Sequence, residues 1–366
     1  MTIPTAIAHD YLTQRGGAER VVLALGEIWP LATIYTSLYD PHGTFPEFAR
    51  DEIHTAFVNR IRPLRSRHRL ALPVLAPSFS SMRIDAEVTV CSSSGWAHGV
   101  HCTGAKVVYC HAPARWLHQV DAYTSESSVA VRMALAGLRR PLLSWDRRAA
   151  HSADVYVVNS TRTRDLVREA YGIDAEIIHP PHNVDTEGPL EPIDHVEPGF
   201  FLCVSRLLPY KNLEALLHGF AQMPSERLVI VGSGPDRDRL ISMAPNNVAF
   251  LSDIPDSQLR WLYRSAVALL AVGLEDFGLT PIEAASFGLP TLARAFGGYL
   301  DTVVEGVNGY FLGGLDPADL AEAVRRLKAE PLDPAETRRS SERFSAHEFS
   351  MRLGEVVEQV RAGGLP

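Results

Sequence analysis

Short apolar runs alternate along the chain with stretches in which apolar residues recur every three or four positions. The first run covers residues 5–8 and ends at His9, and the pair Gly16-Gly17 then precedes a helical pattern. Further apolar runs, which we interpret as buried strands, cover residues 33–36, 86–91, 106–110 and 154–158. This alternation predicts a parallel sheet that is covered by helices on both faces.

The same alternation starts again after residues 179–192, a segment rich in proline and acidic residues that is typical of a linker. Strands are predicted at residues 200–204, 227–231, 248–251, 267–272 and 290–293. Helices are predicted at residues 213–220, 281–287, 317–327 and 350–360. We therefore expect two doubly wound α/β domains, residues 1–185 and 186–345, and a C-terminal helix within residues 346–366 that packs back toward the first domain.

Length and composition agree with a globular protein of two domains. The chain has 366 residues, of which 46% are hydrophobic and 21% are charged, which are ordinary values. It contains no run of 18 apolar residues, and its N-terminus lacks the basic flank and long apolar core of a signal peptide. We therefore expect a cytoplasmic protein. The four cysteines show no Cys-x-x-Cys spacing, and we interpret them as small buried hydrophobes.

Charge is distributed unevenly between the two halves. The formal net charge of −8 argues against nucleic acid as a partner. Residues 1–180 carry 19 basic and 17 acidic side chains, whereas residues 181–366 carry 16 and 26. An anionic partner should therefore meet the N-terminal half.

Two glutamates separated by seven residues form the sharpest chemical motif. Glu275 follows an apolar strand, and Glu283 closes the segment Glu-Asp-Phe-Gly-Leu-Thr-Pro-Ile-Glu. Thr280 and Pro281 are typical of an N-cap and a first helical position. The amides of residues 277–279 would then lie at a helix start, which attracts phosphate without a metal. A capping box with Thr280 is the alternative, but it explains Glu283 alone.

With this motif and several others, the chain resembles the retaining glycosyltransferases of family 4. The other segments that carry the resemblance in the second half are residues 204–212 (Val-Ser-Arg-Leu-Leu-Pro-Tyr-Lys-Asn), 232–235, 297–301, 306–311 and 344–349. The match is dense over residues 200–350. It is looser over residues 1–180, where Arg-Gly-Gly-Ala-Glu-Arg at 15–20 and Tyr-Cys-His-Ala-Pro at 109–113 carry it. The resemblance implies the GT-B fold, in which two Rossmann-like domains face each other across a cleft.

The resemblance also implies a donor site in the second domain. Arg206 and Lys211 would bind the pyrophosphate of the donor, because a leaving diphosphate needs positive charge. Glu275 would meet the donor sugar, and Glu283 would hold the ribose hydroxyls. Further donor contacts implied are Gly232, the amides of Phe277, Gly278 and Leu279, and Ile254 in the loop beside the base. Ser252 stands where many relatives have glycine, which leaves the base specificity open.

Four further positions of the first domain are assigned less directly. Gly16 and Gly17 would let backbone amides approach the diphosphate, although an ordinary strand–helix turn explains them too. By resemblance, His111 would line the donor-sugar pocket and belong to the catalytic group with Arg206, Lys211 and Glu275. The alternative for His111 is a hydrogen-bonded structural histidine. Asp10 could contact the acceptor or have a purely structural role.

No metal and no cofactor beyond the nucleotide-sugar substrate are expected. Asp236 and Asp238 form an Asp-x-Asp pair, but they follow Gly-Pro at a helix start, where the helix dipole favours acidic residues. Arg237 replaces the third glycine of a dinucleotide fingerprint. The histidines show no ligand spacing. The resemblance predicts no protein nucleophile either.

A basic stretch at residues 60–69 holds five arginines and precedes the apolar residues 70–75. Such a face can lie on anionic lipid, and so can a second arginine group at residues 139–148; solvated structural arginines are the alternative. Peripheral contact with the inner face of the membrane would suit a lipid-linked acceptor.

Our hypothesis is a hexosyltransferase that moves mannose from GDP-mannose to a glycan or lipid-linked saccharide, because the N-terminal half resembles bacterial mannosyltransferases of surface polysaccharide synthesis. The alternatives are a UDP-sugar-dependent transferase, an epimerase or phosphorylase on the same fold, and a non-catalytic protein that binds sugar nucleotides.

Overall fold

A computed structural model describes residues 3–66, 71–118, 129–182 and 184–363. The chain forms two compact units, one that combines Met1–Pro181 with Ala346–Pro366 and one that consists of His182–Ser345. The first segment ends at Pro181 rather than at the expected residue 185. The reason is that the amide of His182 donates to the carbonyl of Phe344 at 3.1 Å, and Val184 packs into a core of the second unit.

Parallel strands build the main sheet of the first unit. The strands are β1 (Ile3–His9), β2 (Ile34–Thr36), β3 (Ile53–Thr55), β4 (Arg83–Ile84), β5 (Ala86–Ser93), β6 (His101–Cys102), β7 (Ala105–Cys110), β8 (Val155–Val158) and β9 (Glu176–Ile177). Seven of them form a sheet in the order β3-β2-β1-β5-β7-β8-β9, and β4 pairs with β6. All four residues of β8 are buried, as expected of a parallel sheet with both faces covered.

The helices of the first unit are α1 (Gly17–Ile28), α2 (Arg62–Ser66), α3 (Leu72–Ser81), α4 (Arg115–His118), α5 (Val129–Ala150) and α6 (Thr161–Tyr171). Local sequence explains the ends of α6, since the Ser160 hydroxyl caps the amide of Thr163 at 3.0 Å and Gly172 closes the helix at φ 71°. Within the described ranges, no helix is both long enough and apolar enough to cross a membrane.

A six-stranded parallel sheet builds the second unit. Its strands are β10 (Phe200–Val204), β11 (Leu228–Val231), β12 (Val248–Leu251), β13 (Ala266–Ala271), β14 (Thr291–Arg294) and β15 (Gly309–Leu312). Their order is β12-β11-β10-β13-β14-β15. The chain therefore grows from β10 toward one edge and then crosses to β13 to build the other. Such a reversal creates a switch point where ligands bind in sheets of this kind.

The helices of the second unit are α7 (Leu213–Ala221), α8 (Arg237–Met243), α9 (Asp256–Ser265), α10 (Leu279–Ser286), α11 (Tyr299–Thr302), α12 (Pro317–Ala329) and α13 (Pro334–Ser340). Helix α12 covers the helix predicted at residues 317–327, and Leu320, Ala323, Val324 and Leu327 form its buried face.

The last helix, α14 (Ala346–Arg361), belongs to the first unit. Phe349, Leu353 and Val357 lie in the same buried cluster as residues of β1, β5 and β7. The Phe349 ring meets the Tyr109 ring edge-on at 5.6 Å. The chain thus enters the second unit and returns to complete the core of the first.

Candidate active site

Polar and charged residues that the sequence predicted follow strands near the switch point of each sheet. In the first unit the chain order reverses between β1 and β5, where Asp10 follows β1 and His111 follows β7. In the second unit it reverses between β10 and β13, where Arg206 follows β10 and Glu275 follows β13. Because parallel strands end at one edge of the sheet, each pair lies where a ligand would bind.

In the second unit, Lys211 and Glu275 form an ion pair. Lys211 ends the short 3-10 turn that follows β10, and its side chain is 5% exposed, against 31% for Glu275. The ammonium lies 4.8 Å from the centroid of the Tyr210 ring. Exposed Arg206 donates a hydrogen bond of 3.1 Å to the Tyr210 hydroxyl. Two cations beside one carboxylate favour an anionic group such as a diphosphate.

Helix α10 begins at Leu279, with Gly278 as its N-cap at φ 83°. Thr280 therefore lies inside the helix, so the predicted start at Pro281 and the predicted Thr280 cap are wrong. A side chain at Gly278 would approach the Tyr299 ring to 2.7 Å, so glycine is required by both the backbone and the packing. Amides in the first turn of a helix have no partner inside the helix, which suits phosphate.

Glu283 does not close a capping box, because the N-cap position has no side-chain hydrogen bond. The Tyr263 hydroxyl instead donates to Oε2 of Glu283 at 2.9 Å. This contact holds one carboxylate oxygen and orients the other. Phe277, which precedes the helix, is buried and packs edge-on against Phe344 at 5.8 Å.

Gly232 and Ile254 lie in the loops after β11 and β12. Gly232 has φ 151°, and a side chain there would overlap the carbonyl of Ser205 in the neighbouring loop. Ile254 is half-buried against the apolar cluster that contains Tyr263. Both residues thus lie at the same edge of the sheet as Lys211, and their contacts with the donor stay predictions.

In the first unit, a row of buried polar side chains connects His111 to the start of α1. Nε2 of His111 lies 2.8 Å from Oγ of Ser92. Nδ1 of His9 lies 3.0 Å from the same Oγ and 3.0 Å from the carbonyl oxygen of Ser92. Nε2 of His9 faces Oε1 of Glu19 at 4.0 Å, an ion-pair distance that is too long for a direct hydrogen bond.

The sequence predicted only His111 in this row. Two signals were available for the others. His9 and Ser92 are paired near the carboxyl ends of neighbouring parallel strands, and Glu19 occupies a position of the apolar face of α1. Side chains that are 83 positions apart in the chain meet here only because β1 pairs with β5.

The two histidines have opposite pKa shifts. Burial lowers the pKa of His9, but the Glu19 carboxylate and, more weakly, Asp10 outweigh burial and raise it above the ordinary value of 6.5. Burial, together with the charge of His9, lowers the pKa of His111 to about 3. Of the two histidines, His9 therefore takes up a proton at the higher pH, and His111 is neutral at neutral pH.

Asp10 is held by backbone amides. Its carboxylate accepts hydrogen bonds from the amides of Ser94 at 2.6 Å, Ala97 at 2.7 Å and Trp96 at 3.3 Å. Its side chain is buried, and burial raises its pKa. These contacts support the interpretation in which Asp10 fixes the loop after β5, whereas contact with an acceptor stays a prediction.

Gly16 is the N-cap of α1, and Gly17 is its first residue. A side chain at Gly16 would come to 2.6 Å from Oε2 of Glu19. The Glu19 carboxylate therefore lies beside this helix start. A diphosphate that approached the Gly16 and Gly17 amides would come close to this carboxylate.

Asp236 has a cationic partner already. Both of its carboxylate oxygens accept from Arg239, at 2.7 and 2.8 Å, and Asp238 is exposed. Over the described residues, no group of three or more His, Cys, Asp or Glu side chains is arranged to hold a metal ion.

Comparisons with known proteins show what the chain is similar to. Residues 192–344 match the family model described as glycosyl transferases group 1. The alpha-1,3/1,6-mannosyltransferase ALG2 of Dictyostelium discoideum is 25% identical over 94% of this chain and 96% of its own length. The GDP-mannose-dependent alpha-(1-6)-phosphatidylinositol monomannoside mannosyltransferase of Mycolicibacterium smegmatis is 28% identical over 50% of this chain and 56% of its own length.

Solved structures show the same fold over the whole chain. Sucrose-phosphate synthase of Thermosynechococcus elongatus superimposes with a TM-score of 0.71 and 20% identity, over 99% of this chain and 100% of that one. The family model and the mannosyltransferase relatives show a glycosyltransferase, and the solved structure shows that its fold is GT-B. The part that matches the group 1 family model, residues 192–344, includes Arg206, Lys211, Glu275 and Glu283.

Proposed function

We propose that this enzyme transfers mannose from GDP-mannose to a glycolipid or lipid-linked saccharide, with retention at the anomeric carbon. The observation that carries the proposal is the Lys211–Glu275 pair beside Arg206, at the switch point of a group 1 glycosyltransferase domain. Mannosyltransferase relatives that match over nearly the whole chain support the choice of sugar. The relative whose name includes GDP-mannose supports the choice of nucleotide.

The chemistry follows from the contacts of these side chains. As the bond between the anomeric carbon and the diphosphate oxygen breaks, negative charge develops on the diphosphate, and Arg206 and Lys211 stabilise it. Glu275 shares one oxygen with Lys211 and offers the other to a sugar hydroxyl. Glu283, held by Tyr263, offers its other oxygen to the ribose. The leaving phosphate takes the proton of the acceptor hydroxyl, which attacks from the same face of the sugar.

A donor panel tests this proposal. Unfolding is monitored in the presence of GDP, UDP or ADP, and product formation is then measured with GDP-mannose and with UDP-glucose. GDP at 100 times its dissociation constant should stabilise the protein by about 2.7 kcal/mol. The anomeric configuration of the product, read by proton NMR, tests retention. Stabilisation by UDP alone, with transfer from UDP-glucose, would replace GDP-mannose by a UDP-sugar donor.

Transfer should need no metal ion. Asp236, the first residue of the Asp-x-Asp pair, is held by Arg239, and the cations and helix start of the second unit can balance the diphosphate charge. Full activity in EDTA is expected. Loss of activity in EDTA that Mn²⁺ or Mg²⁺ restores would contradict this expectation. Asp236 and Asp238 would then be candidate metal ligands.

Peripheral membrane contact through the basic stretch is part of the proposal. Arg60 and Arg62 are exposed, and Phe57 and Ile61 beside them are 54% and 48% exposed. Arg67 and Arg69 lie outside the described residues. Residues 70–75 could add apolar contact only if the core does not need them, and in their described part it does, since Leu75 is fully buried in the core and Leu72 and Val74 pack against it. Phe57 and Ile61 supply exposed apolar surface instead.

A further inference from the structure

The buried side chains behind His111 determine which hydrogen-bonding role it can play, and this inference rests on the proposed function. Within the described part of the chain, Nε2 of His111 contacts Ser92 and no hydrogen bond reaches its Nδ1. Nδ1 is therefore the ring nitrogen available to a substrate. Whether it donates or accepts depends on where the ring proton lies.

Both nitrogens of His9 face groups that accept hydrogen. The carbonyl oxygen of Ser92, at 3.0 Å from Nδ1, can only accept, so Nδ1 must carry a proton. Nε2 faces the carboxylate of Glu19 at 4.0 Å, and a buried carboxylate favours a proton on the nitrogen that faces it. His9 is 2% exposed and Glu19 1% exposed, so the two charges compensate each other inside the protein.

The donor and acceptor roles at His9 then fix the direction of the hydrogen bond between Ser92 and His111. The Ser92 hydroxyl accepts from Nδ1 of His9, and its single hydrogen is left for Nε2 of His111 at 2.8 Å. The reverse order would place a bare Nδ1 of His9 at 3.0 Å from the Ser92 carbonyl oxygen, where the two lone pairs repel. Nε2 of His111 therefore accepts.

We propose that the Glu19–His9 ion pair, acting through the Ser92 hydroxyl, holds His111 as the neutral tautomer with its proton on Nδ1, where it donates a hydrogen bond to a substrate oxygen. Glu19, His9 and Ser92 are positioning residues in this scheme, because none of them needs to touch the substrate.

Among the described residues, three charged or titratable groups face His9. Glu19 faces it from α1, Asp10 from its own chain segment after β1, and His111 from the segment after β7. Asp10 is held by three backbone amides. Glu19 is thus the group whose charge can be removed to test the scheme.

Histidine NMR tests the proposal without substrate. Wild-type protein labelled with ¹⁵N-histidine should show His111, assigned by its loss in His111→Gln, as neutral with the proton on Nδ1, and His9 as doubly protonated at pH 7. Glu19→Gln should move the titration of His9 to lower pH. It should also lower kcat by about 10–100-fold, with less change in KM. This is the range seen when a metal-bound histidine loses the residue that holds its other ring nitrogen. Glu27→Gln, on the exposed side of the same helix, is the matched control and should change neither.

Ser92→Ala is the second variant, because it cuts the row without changing a charge. It should leave the His9 titration near its wild-type position and mix the tautomers of His111. A proton on Nε2 of His111 in the wild type, or an unchanged His9 titration in Glu19→Gln, overturns the proposal. Absence of transfer from any nucleotide sugar by the wild type refutes the proposed function instead, while the NMR result still decides the tautomer.

Discussion

Lys211 is a buried ammonium whose only carboxylate partner in the described contacts is Glu275. Lys211→Ala should lower turnover by about 10²–10³-fold, because one positioned charge at a developing anion contributes on that order. Steady-state kinetics with the preferred donor measure the effect. Lys328→Ala is the matched control, since Lys328 pairs with Glu226 on the exposed face of α12 and should change turnover little. Near-normal transfer by folded Lys211→Ala protein would remove Lys211 from the site.

Replacement of Gly278 tests whether the start of α10 tolerates a side chain. Gly278→Ala should destabilise the protein by more than Gly172→Ala. Both positions have positive φ, but only the new methyl group at Gly278 meets a ring, that of Tyr299, at 2.7 Å. The φ strain alone is worth about 1–2 kcal/mol. Urea unfolding measures the difference, and transfer assays should show loss of activity in Gly278→Ala only. Equal midpoints and equal activities in the two variants would contradict the packing argument.

Helix α14 illustrates how a chain terminus can belong to a distant core. Leu353→Ala should lower the free energy of unfolding by about 2–5 kcal/mol, because Leu353 is fully buried and its removal leaves a cavity. Met351→Ala, two residues earlier in the same helix and 44% exposed, should cost far less. Urea unfolding followed by circular dichroism compares the two. Equal costs would show that α14 adds no core to the first unit.

The elements that were predicted best from the sequence are those with an unbroken run of apolar residues. Strands β10 and β12 have the predicted bounds, because buried parallel strands are short apolar runs. The start of α10 was predicted two residues late, since Thr-Pro is a strong local signal for a cap, whereas the strand connection makes Gly278 the cap. Strand β15 was missed, since Gly309 opens it and glycine is uncommon in strands.

The candidate site was predictable where one segment carries its motif. Glu275 and Glu283 lie on a single segment, and Arg206 and Lys211 lie on another, so pattern alone located them. That Lys211 pairs with Glu275 depends on the switch from β10 to β13, which spacing does not encode. The row from Glu19 to His111 draws on three strands and a helix, and only the sheet register brings it together.

The whole molecule separates charge between its units, and this separation bears on membrane contact. The exposed arginines beside Phe57 and Ile61 lie in the first unit, which contains the basic half of the chain. Acidic residues are concentrated in residues 181–366, most of which form the second unit. A negatively charged surface should therefore attract the first unit and repel most of the second.

Replacement of Arg60, Arg62 and Arg65 by Gln should release the protein from anionic vesicles. Each arginine near such a surface is worth about 1 kcal/mol, so the triple variant should bind about 100-fold more weakly at low salt. High salt should weaken wild-type binding as well, since the Debye length is about 8 Å already at physiological ionic strength. Co-sedimentation with phosphatidylserine vesicles measures both effects.

The matched control replaces Arg325, Arg338 and Arg339, exposed arginines of the second unit, and should bind as the wild type does. The basic triple variant should transfer sugar normally to a short soluble acceptor and slowly to a lipid-linked one. Wild-type protein that ignores anionic vesicles at low salt would refute membrane contact, and equal loss of both transfers would place these arginines in the fold or the active site.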